Sequence, residues 1–336
     1  MNKFLIIRLG SLGDVVHGIP AAAALRRRYP QAEIDWLVDP RYVELLNLVE
    51  CLDHRIPFDP RDLVGGRSAA WGTVAGLRRS RYDAVVDLQG LLKSAVLARF
   101  VSARRTIGLP RRLLREPLAR LFYSETPDPG AAKHVIHQGL ALLRPLGVED
   151  ETVRFPITTP RTSVAAGAVE RVGSHEYAIV NPGAAWPNKR WPADRFGAVA
   201  ASIRQAFGLR SLVLWGPDEQ PLAEAVAAAS SGAAVPAPPT TIADVVALAR
   251  GARLMVSGDT GPLHLAAAVG TPVVALFGPT FAERNGPWSP DDLVVSRTDR
   301  CACLYERRCR RAAPCIEDIS VADVAGAVAR RLSSRV

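Results

Sequence analysis

Three stretches of the chain hold side chains able to make or break bonds. The first is Leu9-Gly10-Ser11-Leu12-Gly13-Asp14, which follows a short apolar run and leads into Val15-Val16-His17-Gly18-Ile19-Pro20. Glycines three apart let backbone amides approach a ligand. Asp14, at the mouth of the following helix, can take a proton from an attacking hydroxyl. A carboxylate at such a place also caps a helix, and spacing alone leaves both roles open. Leu12 stands where G-x-G-x-x-G requires glycine, which counts against a nicotinamide-cofactor oxidoreductase.

The second stretch is Asn181-Pro182-Gly183-Ala184-Ala185-Trp186-Pro187-Asn188-Lys189-Arg190-Trp191-Pro192. Its small residues expose backbone amides, and Lys189 offers a cation to a phosphate. Two Trp and two basic residues so close together are costly in an idle loop, although packing alone also uses tryptophan. The third is Ser257-Gly258-Asp259-Thr260-Gly261-Pro262-Leu263-His264. Here a strand end, a tight turn and a helix start leave unpaired amides that favour an anion. Thr260 and Gly261 are placed to donate to a diphosphate. His264, in the first turn, is read either as pointing to the same place or as a core histidine satisfied by hydrogen bonds.

Composition limits the partners. The net charge of +9 comes from 42 Lys and Arg against 33 Asp and Glu, which suits an acidic partner, and an arginine- and alanine-rich genome gives the same balance. No basic stripe interleaved with aromatics accompanies it, so nucleic acid is not expected. The only lysines are Lys3, Lys93, Lys133 and Lys189, and in an arginine-dominated chain each marks a place that suits a compact ammonium.

The elements that position these residues follow from hydrophobic periodicity. At 336 residues the chain exceeds one ordinary core. Short apolar runs alternate with helix-length amphipathic stretches, the pattern of βαβ units. Strands are expected at 4–8, 34–38, 84–88 and 106–108, with helices near 18–28, 41–48, 71–79, 91–100 and 133–143. The stretch 155–174, rich in Pro, Thr, Ala and Gly, reads as a linker with room for a short helix. Strands at 177–180, 211–215, 254–257 and 273–277 follow, with helices at 193–206, 219–228, 242–250 and 262–268. A helical stripe of apolar residues closes the chain from Val321 to Leu332. The expected organisation is an α/β fold of two Rossmann-like domains facing an interdomain cleft: 1–155, a linker over 156–176, 177–320, and a C-terminal helix over 321–336. No apolar run is long enough to span a membrane, and MNKFLIIRLG lacks a secretory core, so a cytoplasmic protein is expected.

These residues carry a resemblance. IIRLGSLGDVVHGIPA, YDAVVDLQGLLKSA, REPLARLFY, NPGAAWPNKRWP, LVLWGPDE and SGDTGPLHLAAAVGTPVVALFGPT make the chain similar to the bacterial heptosyltransferases of glycosyltransferase family 9, nearly end to end. The resemblance implies the GT-B architecture, with Asp14 as catalytic base and Lys189 on the donor phosphates. Ala184, Ala185, Asp218, Glu219, Asp259, Thr260, Gly261 and His264 would complete the donor site. Gly13, Lys93, Arg115 and Arg120 would serve the acceptor, with Arg111, Arg112 and Lys133 as further cations facing acidic groups. DAVVDLQGLLKSA and REPLARLFY look most like the heptosyltransferase I branch. The donor would then be ADP-L-glycero-β-D-manno-heptose and the acceptor Kdo-lipid A of lipopolysaccharide, with inversion in one in-line displacement.

The chain has no D-x-D triplet, so metal-independent transfer without a cofactor is expected. A lipid-linked acceptor implies work at the inner face of the inner membrane. No amphipathic anchor is evident, which makes that attachment peripheral and electrostatic. Two departures stand out. Gln138 replaces an arginine frequent in the family, and Cys301, Cys303, Cys309 and Cys315 form a C-x-C-x5-C-x5-C cluster that the type I branch generally lacks and the type II branch shares. In a cytoplasmic protein these are read as reduced thiols or a zinc site rather than disulfides. A non-catalytic metal-binding interaction protein, with this cluster as its active part, is the competing class. It would tolerate loss of Asp14 and Lys189 and fail on loss of Cys303 or Cys309. Cys51 stands apart as a core residue.

Overall fold

The computed structural model describes residues 1–64 and 68–333. They form two compact units, Met1–Thr158 and a second beginning at Thr159. In the first unit β1 (Lys3–Ile7), β2 (Glu33–Val38), β3 (His54–Pro57), β4 (Tyr82–Asp87) and β5 (Ala103–Gly108) lie in the order β3-β2-β1-β4-β5, all parallel. In the second, β6 (Tyr177–Asn181), β7 (Arg210–Val213), β8 (Ala234–Pro236), β9 (Leu254–Gly258), β10 (Val273–Phe277) and β11 (Leu293–Ser296) lie in the order β11-β10-β9-β6-β7-β8, again all parallel. Winding reverses beside the first strand of each sheet, between β1 and β4 and between β6 and β9. In open parallel sheets ligands bind beyond the strand carboxyl ends at such a switch point.

The central strands are near-continuous apolar runs because helices cover both faces of a parallel sheet. Phe4–Ile7 and Tyr177–Val180 are buried throughout. Three strands escaped the sequence reading: β3, β8 and β11. All lie at sheet edges, where one flank needs no partner, and His-Arg-Ile-Pro or Ala-Val-Pro gives no apolar period to read.

The helix after β1 runs Leu12–Arg28, six residues earlier than the expected start at Gly18. Gly13 and Asp14 therefore belong to its first turn. The stretch 155–174 is not plain linker. Thr162 caps a helix over Ser163–Val172, accepting the Ala165 N–H at 3.1 Å, and Gly173 ends it at φ 75°. Ala165, Ala168 and Val172 are buried, and the helix packs on β7 and on the helix Ile242–Gly251. Ile157, in contrast, bridges Val49 in the first unit.

The closing helix, Val321–Ser333, belongs to the second unit's core through Val324, Ala327, Val328 and Leu332. Residues 334–336 of the expected helix lie outside the described residues. Arg331 bonds Asp292 at 3.0 Å with both side chains buried, and Asp292 also accepts the Val273 N–H at 2.9 Å, which fixes this helix to the start of β10.

Candidate functional site

Around Asp14 the geometry is set by a charge on an otherwise apolar strand end. Arg8 leaves β1 and pairs with Asp14 Oδ1 at 2.5 Å, while another guanidinium nitrogen donates to the Leu88 carbonyl. The Ser11 N–H and hydroxyl donate to Asp14 Oδ2 at 2.9 and 3.1 Å. Burial opposes ionisation of Asp14, but the Arg8 charge and the Ser11 bonds outweigh it and hold the carboxyl below the usual carboxylate range. The Asp14 side chain is still 36% exposed. The capping and catalytic readings are thus compatible. One carboxylate braces the helix start and presents a charged oxygen to solvent.

Gln89, at the end of β4, closes this turn by accepting from the Leu9 and Gly10 amides at 3.0 and 3.4 Å. Gly10 admits Tyr42, since a Cβ there would lie 2.7 Å from its ring. Beneath lies Asp87, fully buried, which accepts from Tyr123 Oη at 2.7 Å, Ser94 Oγ at 2.8 Å and the Gln89 N–H at 2.8 Å. Burial raises its pKa against those bonds. Through Tyr123 and through the Leu92 N–H bond to Glu116 Oε2 at 2.6 Å, the loops after β4 and β5 are joined. Lys93, in the first turn of the helix Leu92–Phe100 that follows β4, and Arg111 and Arg115, in the segment after β5, are exposed. Arg120 donates to the Tyr123 carbonyl at 3.1 Å, and Arg112 pairs with Asp128. Lys133 is exposed, and the nearby Gln138 is buried, donating to the Ala132 and Lys133 carbonyls at 3.0 and 3.1 Å.

In the second unit Asp259 is a hub. With its side chain only 4% exposed, it bonds Lys189 Nζ at 2.5 Å, Thr280 Oγ1 at 2.6 Å and His264 Nε2 at 3.1 Å. Burial works against its charge, yet His264 and Lys189 hold it far below the ordinary range. The His264 ring is buried, with Nε2 on Asp259 Oδ1. Lys189 also sits over the Trp186 ring at 4.7 Å, and Arg307 approaches the same ring at 5.9 Å. Thr260 and Gly261 open the helix Gly261–Ala268 at the end of β9. Asn181 Nδ2 holds that turn by donating to Ser257 Oγ at 2.9 Å and Thr260 Oγ1 at 3.0 Å.

The loop Ala184–Arg190 divides its labour. Trp191 is core, edge-on to Phe196 with centroids 5.0 Å apart, and donates to the Ile319 carbonyl at 3.0 Å. Asn188 is buried and donates to the Glu306 carbonyl at 2.8 Å. Ala184 is buried and accepts from Arg190 Nε at 2.8 Å, whereas Ala185 is exposed. Glu219 accepts from the Gly216 N–H at 3.1 Å and pairs with Arg190 at 3.3 Å. Gly183 leaves room for it, because a Cβ there would collide with the Glu219 carboxylate. Asp218 is exposed at φ 64°.

Arg8, Gln89, Asp87, Thr280, Asn181 and Arg307 were missed from sequence. A lone arginine in Ile-Ile-Arg-Leu-Gly and a glutamine in Asp-Leu-Gln-Gly were the available signals, since polar groups ending a buried strand need partners.

Among the cysteines, the Cys301 and Cys303 sulfurs lie 3.8 Å apart, and Cys303 and Cys315 are buried. Burial and the neighbouring thiols push Cys315 up to about 12. The one group of three or more candidate metal ligands with atoms within 4.8 Å of one another, among the described residues, is Glu33, Asp35 and His54. Lys3 already sits 2.6 Å from Glu33 and 3.7 Å from Asp35, so an ammonium answers that acidic pair. No described helix is long and apolar enough to cross a membrane.

Two parallel α/β units, each with polar side chains at its switch point, give the two-domain architecture of the GT-B glycosyltransferases. The chain belongs to glycosyltransferase family 9 (heptosyltransferase), whose family model matches residues 72–313. It is 29% identical over 326 residues to lipopolysaccharide heptosyltransferase 1 of Pseudomonas aeruginosa, covering 91% of this chain and 87% of that one. The fold is shared with the E. coli heptosyltransferase WaaC with ADP, at TM-score 0.75 and 24% identity over 99% of this chain and 100% of that one. It is shared equally with the E. coli ADP-heptose LPS heptosyltransferase II, at TM-score 0.76 and 22% identity over 99% of this chain and 100% of that one.

Proposed function

We propose that this enzyme transfers heptose from ADP-L-glycero-β-D-manno-heptose to the Kdo sugar of Kdo-lipid A, with inversion, at the inner face of the inner membrane. The observation that carries the reading is the clamp of Asp259, Thr280 and His264, which fixes the Lys189 ammonium against the turn that opens the helix Gly261–Ala268. That pairing suits a departing diphosphate. Its relatives named lipopolysaccharide heptosyltransferase 1 support the sugar and the acceptor.

In this mechanism the second unit binds the donor. Ala184, Ala185, Asp218 and Glu219 serve its nucleoside and sugar, and Lys189, Thr260 and Gly261 its phosphates. Arg307 adds a second cation beside Trp186. Asp259 and His264 act by positioning, since a buried carboxylate with both oxygens engaged repels rather than binds a diphosphate. In the first unit Gly13, Lys93, Arg115 and Arg120 serve the acceptor, and Asp14 takes the proton of the attacking hydroxyl. A carboxylate weakened by Arg8 suffices there, because the hydroxyl becomes acidic only as it bonds to the anomeric carbon. The new C–O bond forms as the bond to the ADP oxygen breaks, and the proton passes to Asp14. Cation and amides together supply the charge that the leaving group needs, so transfer persists in EDTA.

The cysteine run, shared with the type II branch, supports a second reading in which the acceptor already carries a heptose. Offering ADP-heptose with Kdo-lipid A or with heptosyl-Kdo-lipid A, and weighing the products, separates the two. Calorimetry of ADP, UDP and GDP tests the donor. ADP-selective binding that weakens roughly ten- to a hundredfold in Lys189→Ala, the range for a charge-assisted bond, is the expected result. UDP selectivity would discard ADP-heptose.

A further inference from the structure

The first unit exposes two leucines that its core has no use for. Pro117–Phe122 forms a 3₁₀ turn, in which residues three apart share a face. Leu118 and Leu121 are one such pair, 64% and 76% exposed, while Ala119 between them is buried against Ala95, Leu114 and Tyr123. The element is braced, with Tyr123 Oη on Asp87 at 2.7 Å and Glu116 on the Leu92 N–H at 2.6 Å. Lys93 and Arg111, on the elements Leu92–Phe100 and Arg111–Leu113 that pack against it, and Arg115, two residues before it, are exposed. Arg112 is matched by Asp128, and Glu116, held to the Leu92 amide, is the acid within the cluster.

We propose that Leu118 and Leu121, with the exposed Lys93, Arg111 and Arg115 on the neighbouring segments, dock the first unit onto an anionic phospholipid bilayer. A rigid apolar pair wets poorly in water and gains by entering the headgroup–acyl boundary, and neighbouring cations are drawn to anionic headgroups. The place matters as well. The turn follows β5 and meets the loop after β4, whose Gln89 closes the Asp14 turn, so the surface adjoins the acceptor side of the unit. The proposal adds an apolar contact to the expected electrostatic attachment. A period of three over six residues leaves no amphipathic stripe for a sequence reading to find.

The inference deepens the lipid-acceptor reading and rests on it for its purpose, but its test does not need the acceptor. Full-length protein is sedimented with vesicles of phosphatidylethanolamine and phosphatidylglycerol, and with phosphatidylcholine alone. The wild type is expected to bind the anionic vesicles, more weakly as salt rises. The double variant Leu118→Ser, Leu121→Ser should bind roughly tenfold or more weakly at the same salt, as loss of two inserted side chains implies. Its melting temperature should be unchanged, because both residues are exposed. Its transfer to a soluble, deacylated Kdo acceptor should also match the wild type, with the loss confined to acceptor in vesicles. Absence of wild-type vesicle binding, or equal binding by the variant, overturns the proposal. Failure of both proteins to heptosylate the soluble acceptor would instead remove the functional reading and leave the vesicle result standing.

Discussion

Asp14 and Asp259 each follow a strand that flanks its sheet's switch point, β1 in the first unit and β9 in the second, and each is paired with a cation. Their surroundings differ. The Asp14 side chain is 36% exposed and answers one arginine and one serine, whereas Asp259 is 4% exposed and carries Lys189, Thr280 and His264. A carboxylate that keeps a face to solvent is free to exchange a proton with a substrate. One whose oxygens are both spent on protein donors can only set the position of those donors. The same residue type beside a switch point is therefore open to solvent in one unit and locked by protein donors in the other.

The comparison breaks most sharply at Asp14. Asp14→Asn keeps the shape and removes the proton acceptor, so kcat/KM should fall about 10²- to 10⁴-fold while the melting temperature stays near that of the wild type. A variant that transfers normally would end the assignment of Asp14 as base.

Asp259→Ala should behave in the opposite way, as a loss of structure before a loss of chemistry. Removing one partner of a buried pair costs about 3–5 kcal/mol, measurable by denaturant unfolding, and ADP binding should weaken with it because Lys189 loses its anchor. The pH dependence carries a sign. The folded-state carboxyl lies below its ordinary 3.8, so the stability it contributes is present above that pH and is lost as pH falls below it. Acid unfolding of the variant should accordingly be less steep.

Thr280→Val removes one bond to Asp259 and keeps the volume. About 1 kcal/mol of stability and a few-fold loss of donor affinity, with kcat nearly unchanged, would identify it as a positioning residue. A large drop in kcat at constant affinity would contradict that role.

The finest test is Arg8→Met. Without the guanidinium, burial acts on Asp14 with less opposition and its pKa rises. The acid limb of the kcat/KM profile should move to higher pH, and a limb that stays in place would show that Asp14 does not set it.

Periodicity and loop chemistry made much of this legible in advance. The central strands, most helices that follow them and the turns bearing Lys189 and Asp259 lie where the sequence puts them, because a strand buried on both faces must be apolar and a turn at its end must be small and polar. Asp14, in contrast, falls in the first turn of a helix that begins six residues early. Edge strands such as His54–Pro57 carry no such demand and could not be read. The helix over Ser163–Val172 falls in the stretch read as linker with room for a short helix, and its alanine-rich stripe was too weak a signal to give its bounds.

By itself the sequence determined two α/β units, the places of their active turns and the family, since these depend on residue type and local spacing. Only the tertiary structure decided which carboxylate is open and which is locked, that Thr280 and His264 turn toward Asp259, and that Leu118 and Leu121 face outward. Those outcomes depend on contacts between residues up to about eighty positions apart, such as Lys189 with Asp259 or Gly10 with Gln89. Burial, which sets whether a charge reacts or braces, is a property of the packed chain alone.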